Sequence, residues 1–113
     1  WEIDTRGKIL LLEDTDEPVF RIDRMLTQLR LAGKLDDAAG IVLGQFTRIP
    51  PRKPKDSFTL PEVLEAIIVP EGKPTLVNAC FGHGPRKATL PLGARAVLDG
   101  SRSTLTVVEP GVE

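Results

Sequence analysis

A chain of 113 residues with 41% apolar side chains carries enough core for one domain. Its 15 basic against 16 acidic residues, 27% charged in all, exclude a disordered chain and argue against a nucleic-acid binder. One cysteine, Cys80, excludes an internal disulfide and a cysteine-based metal cage, and the longest apolar runs (9–12 and 66–69) are too short to cross a bilayer.

In chain order, residues 8–13 (KILLLE) form a continuous apolar run ending in charge, the pattern of a strand covered on both faces. Asp16 is placed to cap a helix in which the early Pro18 has no N–H to leave unsatisfied. Ile22, Met25, Leu26 and Leu29 then recur at helical spacing, with Arg21, Arg24, Gln28 and Arg30 off that stripe, and Gly33 stops the helix. A polar turn leads to a second strand over 40–46, so strand, helix and strand read as a right-handed βαβ crossover with parallel strands. Residues 47–57 hold Pro50, Pro51 and Pro54 and sustain neither regular structure. Thr59 and Glu62 match a capping box that opens a second helix from Pro61 to about Val69. A turn over 71–74 precedes a third strand over 75–80 and a short extended piece over 88–90. A hairpin closes the chain, with strands over 94–98 and 104–108 around Asp99-Gly100, where Ser101 and Arg102 lengthen the loop. The reading is one small α/β domain spanning 1–113: a βαβ unit, a second helix and a C-terminal β-hairpin, with five or six strands and two main helices.

Two loops at the C-terminal ends of predicted strands are candidates for chemistry, since open α/β sheets place their sites at that edge. One carries Glu13 and Asp14; the other carries His83, the only histidine, between Gly82 and Gly84. The bland readings are helix capping for the acids and a solvated loop for the histidine. Arg86 and Lys87 stand beside His83, where they either hold a substrate carboxylate or are plain surface charge. Arg48, Arg52, Lys53 and Lys55 are interleaved with prolines and read as an extended solvated loop. Cys80, ending an apolar strand, reads as a small buried hydrophobe. One histidine without a cysteine cluster makes a metal site improbable, and no cofactor is expected. No Gly-x-Ser-x-Gly elbow is present, and Ser57, Ser101 and Ser103 fall in loops. Glu13 and His83 would make two-thirds of a triad without a nucleophile.

The run GKILLLEDTDEPVFRIDRMLTQLRLAGKLDDAAGIVLGQF, then FGHGPRKATLPLGARAVLD and the terminal STLTVVE, resembles the C-terminal domain of LD-carboxypeptidases, a family that includes the microcin-immunity peptidases. The resemblance covers nearly the whole chain, from Gly7 to Glu109. It implies a swivelling β/β/α fold and a serine peptidase whose Ser-His-Glu triad is split between two domains. The family's Glu falls on Glu13, with Asp14 the adjacent alternative, and its His falls on His83. The Ser would belong to an N-terminal domain outside this chain, which opens at Trp1 without a Met. The resemblance further implies a murein tetrapeptide substrate losing its terminal D-alanine in peptidoglycan recycling, a cytoplasmic location, frequent homodimers, and neither nucleic-acid nor membrane partners.

On that reading His83 accepts the serine proton and Glu13 orients the ring, while the chain alone is inactive. The competing expectation is a non-catalytic ligand-binding or dimerisation module in which His83 and Arg86 grip an anion.

Overall fold

A computed structural model describes residues 2–49, 58–109 and 111. The elements are β1 (Ile9–Leu12), α1 (Val19–Leu31), the single turn α2 (Lys34–Asp37), β2 (Gly40–Leu43), α3 (Leu60–Ile68) with a 3-10 turn over Val69–Glu71, β3 (Thr75–Leu76), β4 (Ala96–Asp99) and β5 (Thr104–Val107). Strands β1, β2 and β3 form a parallel sheet in that order, and β4 and β5 pair as an antiparallel hairpin.

The centre of the sheet follows from the sequence of β2, Gly-Ile-Val-Leu, all of it buried. Side chains alternate across a strand. Ile41 and Leu43 join Leu10 in a core with Ile22 and Leu26 of α1, Leu35 of α2, and Val63, Ile67 and Ile68 of α3. Removing each such side chain from water stabilises the fold by about 1.5–3 kcal/mol. Gly40 lies on the other side of β2, where a Cβ would stand 2.7 Å from Leu98 Cδ2 of the hairpin. Helices therefore cover one face of the sheet and the hairpin approaches the other, a three-layer α/β arrangement. The parallel strand–helix–strand unit, the second helix and the terminal hairpin all form as the sequence reading expects.

Several details differ. The strand over 8–13 is only Ile9–Leu12, and of its residues only Leu10 is buried, because β1 pairs with β2 alone among the described strands. Asp16 does not cap α1; Pro18 occupies the cap position with no side-chain bond. Asp16 instead takes a left-handed backbone (φ 61°), gives its N–H to Thr47 O and pairs with Arg48 at 2.7 Å. Met25 lies at the edge of the helical stripe and is 39% exposed, while Ile22 and Leu26 are buried. Gly33 (φ 73°) does follow the end of α1, but the polar turn after it contains α2, held by the fully buried Leu35. The capping box forms: Thr59 Oγ1 accepts from Glu62 N and Glu62 Oε2 accepts from Thr59 N.

The third strand ends at Leu76 rather than Cys80 because Asn78 turns left-handed (φ 58°), and 88–90 form no strand. In the hairpin, Asp99 Oδ1 accepts from Ser101 N, Ser101 Oγ and Arg102 N, and Ser103 has φ 52°. The loop is thus longer than a two-residue turn. Arg52, Lys53, Lys55 and the three prolines of the basic stretch lie outside the described residues. Among those described, no helix is long and apolar enough to cross a membrane.

Candidate active site

Two register shifts at the C-terminal edge of the sheet build the site. Leu12 faces Leu43, but Thr15 faces Thr47, so Glu13 and Asp14 on one strand answer three residues, Gly44, Gln45 and Phe46, on the other. This is a bulge, which locally re-aims side chains. Gly44 N donates to Leu12 O and Thr47 N to Asp14 O, so the backbone on both sides of Glu13 is tied down. Across β2 and β3, Val42 faces Leu76 but Gln45 faces Gly82. Five residues, 77–81, loop out against two before the chain rejoins the sheet through Gln45 N donating to Phe81 O. Together the shifts set the acid of the first loop beside the histidine of the second.

His83 Nδ1 lies 3.0 Å from Glu13 Oε2, within range of a charge-assisted hydrogen bond. A carboxylate only accepts, so the proton of this bond is carried by Nδ1 and the neutral ring keeps Nε2 as a free acceptor. The Glu13 side chain is 27% exposed and that of His83 52%, so the pair sits at an open edge rather than in a closed cleft. Gly82 (φ 96°) makes the approach possible, for a Cβ there would lie 2.5 Å from Glu13 Oε2.

Asp14, the neighbouring acid, is committed elsewhere: its Oδ1 accepts from Thr15 N at 2.8 Å. Beside it, Thr47 Oγ1 donates to Thr15 Oγ1 and Arg48 Nη2 reaches the same hydroxyl, which fastens the two strand exits together. The Asp16–Arg48 pair is exposed on both sides and adds little by itself. Arg86 and Lys87 are exposed and form no ion pair with a described residue. Cys80 is exposed rather than buried, because the chain has already left β3 and lies in the looped-out segment. Among the described residues no group of three or more His, Cys, Asp or Glu is arranged to hold a metal ion.

Sequence reasoning passed over Gln45, which sits on the bulge between the two loops. Its Oε1 is buried without a hydrogen-bond partner among the described residues. A cavity of about 390 Å³ lies away from the pair, between β1 and the hairpin, lined by Ile9, Leu11, Leu105 and Val107 with Arg95 and Glu109 at its polar side. Neither it nor a smaller groove beside Phe58 includes Glu13 or His83.

Fold and site together define a class: a layered α/β domain that presents an acid–imidazole pair at the C-terminal edge of a parallel sheet. The chain belongs to the LD-carboxypeptidase family, whose C-terminal-domain model matches residues 1–98. It is 45% identical over 112 residues to a probable murein peptide carboxypeptidase of Bacillus subtilis, covering 99% of this chain and 35% of that protein. The crystal structure of muramoyltetrapeptide carboxypeptidase from Oxalobacter formigenes superposes with a TM-score of 0.73 at 33% identity, over 82% of this chain and 32% of that one. The microcin C7 self-immunity protein MccF, solved with aspartyl sulfamoyl adenosine, shares the fold at a TM-score of 0.82 and 24% identity, over 97% of this chain and 32% of its own. The chain thus spans about a third of the length of the relatives it matches.

Proposed function

We propose that this chain is the C-terminal domain of a serine-type murein tetrapeptide carboxypeptidase, supplying Glu13 and His83 to a Ser-His-Glu triad whose Ser lies in an N-terminal domain outside the chain. The contact between His83 Nδ1 and Glu13 Oε2 carries the reading. With Nδ1 held by the acid, Nε2 is the basic atom, and it takes the proton from the serine hydroxyl as that oxygen attacks the carbonyl of the terminal peptide bond. Glu13 fixes the tautomer and stabilises the imidazolium that forms, and His83 then returns the proton to the departing D-alanine. Water repeats the cycle on the acyl-enzyme, with Nε2 again as base. The oxyanion donors belong beside the nucleophile, in the other domain.

The open position of the pair supports a site completed by a second body, because 52% exposure of His83 leaves one side of the ring uncovered. Arg86, exposed three residues beyond His83, is assigned to the substrate's terminal carboxylate. The proposal extends to a parent enzyme that works in the cytoplasm as a homodimer in peptidoglycan recycling.

The test is release of D-alanine from a murein tetrapeptide. The full-length protein is expected to release it and the 113-residue chain is expected to release none. Turnover by the chain alone, or a full-length protein inert on this substrate and on microcin-like amides, overturns the proposal.

A further inference from the structure

The two glycines flanking His83 make room for two different side chains. Gly82 admits the Glu13 carboxylate; Gly84 is buried, and a Cβ there would coincide with Gln45 Oε1. The Gln45 side chain therefore brings its Oε1 against the backbone at Gly84, just after His83, as the Glu13 carboxylate lies against Gly82 just before it. Gln45 is also bound through its own N–H to Phe81 O, so the same residue holds the loop on both sides of the histidine. Its Oε1 is buried with no donor among the described residues, so no hydrogen bond to one of them accounts for where that oxygen sits.

We infer that Gln45 is a positioning residue for His83: its side chain, seated on Gly84, sets the height of the loop so that the imidazole meets Glu13 through Nδ1. The inference rests on the acid–imidazole reading of the site and adds to it the residue that fixes the ring's approach. Gln45 stands 38 positions before His83 and two residues past the end of the middle strand, so only the paired register shifts bring it under the loop.

Because His83 is the only histidine, the imidazole ¹⁵N signals of the chain belong to one residue, and their shifts report which nitrogen carries the proton. In the unaltered chain at neutral or higher pH, Nδ1–H is expected to predominate. Glu13→Gln serves as the control for the pair itself. Gln45→Ala is expected to keep the backbone amide spectrum and to lower the ratio of Nδ1–H to Nε2–H about tenfold, the scale of losing one hydrogen bond to a charged group. Gly84→Ala, which puts a methyl where the amide lies, is expected to do the same. The double variant Gln45→Ala/Gly84→Ala is expected to fall no further than Gly84→Ala, since the collision is gone. Glu13→Gln altering the ratio while both Gln45→Ala and Gly84→Ala leave it at the starting value removes Gln45 from the account and spares the pair. Independent, additive losses in the double variant also remove Gln45. An unaltered ratio in Glu13→Gln instead removes the acid–imidazole reading. Should Gln45→Ala fail to fold, Gly84→Ala against the unaltered chain decides alone: a lowered ratio supports Gln45 and an unchanged one removes it.

Discussion

His83 and Glu13 are 70 residues apart in the chain, yet each occupies a position that the sequence marks, an acid or a histidine where an apolar run gives way to a loop. What the sequence leaves open is which of two adjacent acids reaches the ring. The answer is local: Asp14 closes on the N–H of Thr15, a bond its short side chain makes readily, and Glu13 has the reach to cross to the next loop. Gln45 was not legible, since nothing in the spelling of a strand end shows which glycine will lie beneath its amide. Gly82→Ala is expected to destabilise the chain by about 1–3 kcal/mol, through strain at φ 96° and collision with the Glu13 carboxylate, as read by denaturant unfolding. A second expectation concerns pH. Hydrogen bonds from Ser101, with Arg102 N–H, hold the Asp99 carboxyl below the usual aspartate value. A depressed folded-state value contributes stability that is present above the unfolded pKa, about 3.9, and is lost as pH falls through the lower folded value. Carboxyl ¹³C titration should place the Asp99 midpoint below that of the unfolded chain; a midpoint at or above it contradicts the hairpin geometry.

Elements were easier to read than their ends. The apolar run of β2, the stripe of α1 and the capping box of α3 carry their own signals, and all three appear in the fold. The failures lie where tertiary contacts outweigh local preference. The single turn α2 is too short to form alone, but Leu35 buries itself completely in the core. The third strand stops early because Asn78 turns left-handed and the chain must reach Gln45 from further along. Periodicity cannot report a bulge between strands that are distant in sequence, and the two register shifts were invisible for that reason. The capping box gives a direct check on α3. Thr59→Ala is expected to cost about 1 kcal/mol of stability, seen as a shift in the urea midpoint without change in slope.

On the scale of the molecule, helices on one side and a hairpin on the other pack a parallel sheet whose C-terminal edge is left open at the pair. On the proposed reading such an edge suits a triad assembled across two bodies, with Glu13 and His83 paired on one of them and the nucleophile supplied by the other. If Glu13 and His83 work as a unit, their removals are not additive. The most direct measurement is kcat/KM for D-alanine release by the full-length protein in the variants His83→Ala, Glu13→Gln and the two combined. The expected result is a loss of about 10⁴-fold or more for His83→Ala, a large loss for Glu13→Gln, and a double variant no slower than His83→Ala. Near-normal turnover without the imidazole, or losses that multiply in the double variant, would contradict it.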